Sequence, residues 1–276
     1  MTTVRVALYQ AQSGVDPAVN AVRLVAAVRE AKSSGAAMLF TPEMSGMLDR
    51  DRARATETAR DEAADVVLAA VRAAAAEAGI WVHLGSLAVN GAGDKLANRG
   101  FVIDAGGKVR GRYDKIHLFD VDLPTGESWR ESAMYAAGSE AVIVADTPVG
   151  NLGLTICYDL RFPALFERLS EAGAAVIAVP AAFTVPTGKA HWQLLMRARA
   201  IEAELFVIAA AQAGRHEDGR ETYGQSMVVA PWGAGLLEMA GEPGLACVDI
   251  ELTRGAEVRA RIPVLQHRRP IAPVTN

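Results

Sequence analysis

Cysteine is scarce in this chain of 276 residues, with only Cys157 and Cys247 present. Two cysteines cannot build a disulfide framework, and no Cys-x-x-Cys pair or Cys/His cluster marks a zinc site; a reducing, cytoplasmic setting is the expectation. Charge of one sign is lacking too, since 28 Lys and Arg stand against 32 Asp and Glu for a net of −4. Without a basic stripe or like-charge block, neither nucleic acid nor a membrane surface is an expected partner. No apolar run approaches the ~18 residues of a transmembrane helix. The opening MTTVRVALYQAQ turns polar too soon for a signal peptide. There is no Walker-type phosphate loop. Gly91-Ala-Gly93 and Gly233-Ala-Gly235 precede no helix, as a dinucleotide fingerprint would, and read as turns.

What the chain does have is apolar residues, 51% of the total, enough to bury a full core. They come in alternating runs. Val4–Ala11 reads as a strand, followed by a helix that Asp16-Pro17 opens and Gly35 stops. Ala36–Glu43 is a short buried strand, Asp61–Ala78 a helix and Ile80–Val89 a strand. RGFVID and KVRGRYD form a hairpin. The pattern then restarts, with strand LGLTIC, helix PALFERLSEAG, strand AAVIAVPAAF, helix HWQLLMRARAIEAE, strand LFVIAAAQAG and the hairpin GQSMVVAP/GLLEMAG. GAAMLFTP (Gly35–Pro42) is echoed by GAAVIAVP (Gly173–Pro180), each lying between a helix and a loop. Two similar halves predict a single domain over residues 1–276, a four-layer α-β-β-α sandwich of two sheets packed face to face with helices outside. His117–Glu140 and Phe183–Ala190 break the rhythm and read as loops that wall a site.

Three chemical groups recur where strands end. Glu43 follows AAMLFTP, Lys115 closes KVRGRYD, and Cys157 closes LGLTI. Ligands of open α/β sheets sit at the carboxyl ends of strands, and a carboxylate, an ammonium and a thiol gathered there suit acyl transfer. Cysteine attacks as the thiolate, so a helix N-terminus and a nearby cation are expected to lower its pKa. The carboxylate serves as general base, and Lys115 with the Tyr158 backbone N–H would stabilise the tetrahedral oxyanion. Hydrolysis of a C–N bond by this route needs no metal and no cofactor. Taken alone, Cys157 is more often an inert buried residue; Cys247, in GLACVDI, keeps that reading.

GLTICYDLRFP, TPEM and YDKIHLFD resemble the three signature segments of the nitrilase superfamily, the carbon–nitrogen hydrolases, and the resemblance runs from VRVALYQ to the tail LQHRRP. It implies a catalytic Glu43–Lys115–Cys157 triad and a second glutamate at Glu131, with Glu127 as its rival. It also implies the same four-layer sandwich, usually paired as a homodimer through helices. AFTVPTGKAHWQLLMRARAIE and AAQAGRHEDGRETYGQSMVV are similar to the small-amidase branch acting on deaminated glutathione, whose sister activity is an ω-amidase on 2-oxoglutaramate. The expected reaction is attack by Cys157, release of ammonia and hydrolysis of the thioester. By the same resemblance Phe183 and Thr187 line the pocket; Arg161, four residues past the thiol, is a candidate for a substrate carboxylate.

Other readings stay open. His117 or His191 could form a papain-like Cys–His pair, although each reads better as a hydrogen-bonding residue at the wall. Arg197 and Arg199 read as structural or interface ion pairs. A nitrilase, a catalytically idle scaffold protein and a redox sensor built on Cys157 are the alternatives.

Overall fold

A computed structural model describes residues 3–123 and 126–274. The chain opens with β1 (Thr3–Gln10) and α1 (Pro17–Ser33). Asp16 caps α1, its side chain accepting from the Ala18 N–H at 2.8 Å, while Pro17 presets the first helical φ. Then come β2 (Met38–Phe40), α2 (Arg52–Thr58), α3 (Val66–Ala78) and β3 (Trp81–Asn90), and the hairpin of β4 (Leu96–Ile103) and β5 (Val109–Asp114). The helix expected from Asp61 starts at Val66 instead. Asp65 takes the cap position and accepts from the Leu68 N–H at 2.7 Å, leaving only a 3₁₀ turn, Glu62–Ala64, before it.

The long connection after His117 contains a small hairpin, β6 (Asp120–Asp122) with β7 (Ser128–Arg130); Pro124 and Thr125 lie outside the described residues. The second half runs through β8 (Val142–Thr147), β9 (Gly150–Leu154), α4 (Pro163–Glu171), β10 (Val176–Ala178), α5 (Val185–Ala203) and β11 (Phe206–Ala209). A ribbon of β12 (Ala213–Arg215) and β13 (Glu221–Tyr223) follows, then the hairpin β14 (Met227–Val229) and β15 (Gly235–Glu238). The chain ends in β16 (Gly244–Glu251), α6 (Thr253–Arg261) and α7 (Val264–His267). Phe183–Ala190 is therefore not a loop, because α5 begins at Val185. Pro186 is tolerated in the first turn, and Gly188 stands where the Tyr223 ring packs so closely that a Cβ would collide with it.

The described residues form two six-stranded sheets, β16-β1-β2-β3-β4-β5 and β15-β14-β11-β10-β9-β8. In each, three parallel strands continue into an antiparallel hairpin on one side (β4–β5 or β14–β15) and meet one antiparallel strand on the other (β16 or β8). The repeat in the sequence is thus a repeat in topology. Strand alternation assigns the layers: Val6, Leu8, Met38 and Phe40 pack with residues of the second sheet, whereas Ala7 and Leu39 pack with α1 and α3. Leu169 of α4 and Trp192 and Met196 of α5 cover the outer face of the second sheet. The result is the expected α-β-β-α sandwich. Among the described residues no helix is long and apolar enough to cross a membrane.

Candidate active site

The parallel strands of both sheets deliver their last residues to one place. β2 ends into Thr41-Pro42-Glu43 and β10 into Val179-Pro180, the two arms of the internal echo. They meet across Gly85, where a Cβ would lie 2.5 Å from both the Pro42 carbonyl oxygen and the Pro180 ring and closer still to the Thr41 oxygen. Only glycine fits there. β3 carries a register irregularity between Leu84 and Leu87, and Ser86 there accepts the Met44 N–H on its Oγ at 2.9 Å. Met44 has φ 54°, so the chain reverses sharply just after Glu43. The Glu43 carbonyl accepts from Gln212 Nε2 at 2.9 Å, which holds the backbone from below.

Cys157 follows β9 at a similar reversal, with φ 48°. Its N–H donates to the Pro180 carbonyl at 2.9 Å. A 3₁₀ helix, Cys157–Arg161, starts at the cysteine and precedes α4. The Tyr158 N–H lies in its first turn, where N–H groups have no acceptor inside the helix. Asp159, fully buried, locks this turn to the end of β5, just before Lys115. Its carboxylate accepts from the Ile156 N–H (2.8 Å), the Tyr113 hydroxyl (2.7 Å) and the His117 N–H (3.0 Å), and lies 2.7 Å from His117 Nδ1. Tyr113 and His117 flank Lys115 two residues to either side, so one buried acid ties the Cys157 turn to the segment that carries the ammonium.

Lys115 is 2% exposed and lies between two carboxylates, 2.8 Å from Glu43 Oε1 and 3.0 and 2.8 Å from Glu131 Oε1 and Oε2. Glu131 is further held by the Phe119 N–H at 2.6 Å. Asn98 Nδ2, which the sequence reading passed over, donates to Glu43 at 3.0 Å and to Glu131 at 3.1 Å. The other oxygen of Glu43 accepts from the Ala182 N–H at 2.9 Å. Burial opposes the charge on Glu43, but the Lys115 charge and the hydrogen bonds from Lys115, Cys157 and Asn98 win, and its carboxyl sits below the ordinary 4.5. Burial opposes the charge on Lys115 as well; the two glutamates outweigh it and hold the ammonium well above 10.5.

Cys157 departs from expectation. Burial, followed by the Glu43 charge, pushes its thiol well above the ordinary 9.0, and the opposing pull of Lys115 and the Ala182 N–H is too weak to reverse this. Burial beside the charged glutamate thus favours the neutral thiol over the thiolate at Cys157. The expected lowering fails because the turn at Cys157 buries the sulfur beside an anion whose effect exceeds that of the cation.

A cavity of about 220 Å³ opens over these groups. Phe119, Trp129, Tyr135, Tyr158 and Phe183 supply aromatic wall, with Met44 and Met47, and Thr187 enters from the first turn of α5. Arg50 and Arg220 reach the cavity with their guanidinium carbons 5.7 and 5.0 Å from the centre of the Trp129 ring. Arg161 does not line it; its guanidinium lies over the Phe183 ring at 5.7 Å and 3.2 Å from His191 Nδ1. Neither His117 nor His191 lines the cavity. Arg197 pairs with Glu238, and Arg199 with Glu202 and the Leu160 carbonyl. Cys247 lies mid-strand in β16 opposite Ala7 and is half-buried. Of the residues missed, Asn98 left one trace in the sequence, a polar side chain inside the apolar run LANRGFVI. Ala182 and the arginines left none.

Known proteins share this arrangement of chain. A deaminated glutathione amidase of Yersinia enterocolitica is 40% identical over 98% of this chain and 94% of its own. The crystal structure of the Caenorhabditis elegans NitFhit protein superposes with a TM-score of 0.91 at 36% identity, covering 98% of this chain, which spans 66% of that longer one. An amidase from Nesterenkonia sp. AN1, 26% identical with a TM-score of 0.79 over 95% of this chain and 98% of its own, was solved as a glutamate-to-glutamine mutant with acrylamide added at its active-site cysteine. The sequence pattern of the carbon–nitrogen hydrolases matches residues 5–260. With the strand ends, the relatives and the family pattern in agreement, the chain belongs to the carbon–nitrogen hydrolase family.

Proposed function

We propose that this hydrolase is a thiol amidase of the cytoplasm that cleaves deaminated glutathione through a thioester on Cys157. One observation carries the reading: Glu43, Lys115 and Glu131 form a single hydrogen-bonded set beside the buried Cys157 thiol at the floor of an open cavity. The relatives named for that substrate support the choice of amide.

In the proposed mechanism Glu43 takes the thiol proton as sulfur bonds to the amide carbon, so the charge moves onto the substrate oxygen as it forms. Lys115 and the Tyr158 N–H stabilise that oxyanion; losing one such donor commonly costs ~10²–10³ in rate. Protonated Glu43 then returns its proton to the departing nitrogen, the C–N bond breaks, and a thioester remains. Glu43, charged again, takes a proton from water as its oxygen attacks the thioester, and gives that proton back to the leaving sulfur. Glu131 keeps Lys115 in place throughout. Because the thiol rests protonated, this concerted transfer replaces attack by a standing thiolate. The leaving group depends on the substrate. Ammonia departs from 2-oxoglutaramate, but deaminated glutathione releases the amine of cysteinylglycine and 2-oxoglutarate.

The experiment is product release from deaminated glutathione, 2-oxoglutaramate and a simple nitrile by the wild-type chain and by Cys157→Ala. Wild type is expected to turn over the first fastest and the nitrile least; the variant is expected to lose roughly 10³-fold or more while staying folded. Activity in Cys157→Ala would overturn the scheme, and comparable turnover of the nitrile would overturn the substrate class. KM values for Arg161→Ala and Arg220→Ala locate the substrate carboxylate. A larger rise for the first supports Arg161, and a larger rise for the second moves the site to the Trp129 pair.

A further inference from the structure

Asn98 lies on β4, 1% exposed, with two of its polar groups committed and a third left over. Its carbonyl accepts the Lys115 N–H at 3.0 Å. Its side-chain nitrogen sends hydrogen bonds to Glu43 Oε1 (3.0 Å) and Glu131 Oε1 (3.1 Å), the same two oxygens that Lys115 Nζ contacts at 2.8 and 3.0 Å. The four groups close a ring in which two carboxylates are joined twice, once by an ammonium and once by an uncharged amide. Its side-chain oxygen is buried without a hydrogen-bond partner. A buried orphan acceptor is normally destabilising and rare in native proteins. Turning the amide over would not relieve it here, because the oxygen would then face two carboxylate oxygens. The fold tolerates the orphan in order to aim both hydrogens at the glutamates.

We infer that Asn98 is a positioning residue of the reaction: it holds the base Glu43 and the lysine-orienting Glu131 at a fixed separation. The side chain suits the task. It reaches two anions with two hydrogens and adds no charge to a site whose one cation already serves both. Serine offers one hydrogen, and aspartate would set a third carboxylate against the other two. A donor bonded to the charged form of an acid favours that form, so the amide works alongside Lys115 in keeping the Glu43 carboxyl low.

The inference rests on the amidase reading, and two readouts separate them. Asn98→Ala is expected to lose about 10- to 100-fold in kcat, the scale of a misplaced catalytic group, with KM little changed. The acid limb of its kcat/KM profile should move up toward the ordinary carboxylate value. Its melting temperature is expected to change little, since loss of the orphan oxygen offsets the two hydrogen bonds taken from the buried carboxylates. Asn98→Ser, which retains one hydrogen, should fall between alanine and wild type. Independently of turnover, the pH profile of Cys157 alkylation by iodoacetamide should shift its acid edge upward in Asn98→Ala, because the sulfur loses its proton to the same base. Failure of the wild type to cleave any amide would refute the amidase reading while the alkylation profile still tests this one. An unmoved acid edge in both profiles, or an activity loss that only tracks lost folded protein, would overturn it.

Discussion

At the scale of single residues the site works by opposed effects on charge. Burial and the neighbouring Glu43 anion both push the Cys157 thiol well above its ordinary value, which favours the proton on sulfur. Glu43→Gln removes that anion and leaves Lys115 in place. The thiol pKa is therefore expected to fall, so that ultraviolet thiolate absorbance appears at lower pH than in wild type. Turnover is expected to drop by about 10³-fold or more, because the new thiolate has no partner to protonate the leaving nitrogen. An unchanged thiol titration would show that Glu43 does not set the resting state of the sulfur. For the wild type, the fall of kcat/KM on the acid side should lie below the ordinary 4.5 of a glutamate, because the active form requires Glu43 charged.

At the scale of elements, catalysis depends on where strands stop and how they are joined. Asp159 links the Cys157 turn to both sides of Lys115 through one buried carboxylate. Asp159→Ala leaves the buried Tyr113 hydroxyl and Ile156 N–H and the part-buried His117 N–H without their acceptor, and about 2–4 kcal/mol of stability is expected to go with it, seen as a lower denaturant midpoint. Turnover per folded molecule should also fall, since ammonium and thiol lose their common anchor; unaltered kcat in the folded fraction would refute that link. Gly85 does the same work between β2 and β10. Gly85→Ala forces a methyl group into the Thr41 and Pro42 carbonyls, and overpacking of backbone is expected to cost about 1–3 kcal/mol or more and to displace Glu43. A variant with wild-type melting temperature and activity would show that the two arms can separate freely.

At the scale of the whole molecule, stability should depend steeply on acid. His83, buried on β3 near Phe40, has its pKa pushed down to about 3 by burial, and burial lowers His216 as well. Glu43 is likewise below its ordinary value. In each case the unfolded chain binds the proton more readily than the fold, so stability rises with pH through that group's window. For His83 the loss begins as pH falls below 6.5 and continues to about 3, at about 1.4 kcal/mol per pH unit. Glu43 adds to it below 4.5. Denaturant unfolding at stepped pH should show this slope, and His83→Gln should flatten it between 6.5 and 4.5. A flat wild-type profile there would mean that His83 is not buried neutral.

Much of this architecture was legible along the chain, because it rests on local physics. Asp16-Pro17 opens α1, the echo of Gly35–Pro42 in Gly173–Pro180 marks two strands of matching place, and apolar runs of strand length imply sheets covered on both faces. The motifs around Glu43, Lys115 and Cys157 were legible as well, since their spacing from strand ends is a property of the sequence. Local cues misled where a residue type has two uses. Pro186 and Gly188 read as a loop and proved to be the first turns of α5, and Asp65 shortened a helix by capping it. The sequence by itself determined the elements, the repeat and the chemical inventory of the site, because hydrophobic period, caps and side-chain chemistry act between near neighbours. Only the tertiary structure decided that the sulfur is buried where the Glu43 charge pushes its pKa up, that Asn98 bridges two carboxylates and that Arg161 stacks behind Phe183. Electrostatics in a buried site depends on distance and desolvation, and both are set by residues far apart in the chain that only folding brings together.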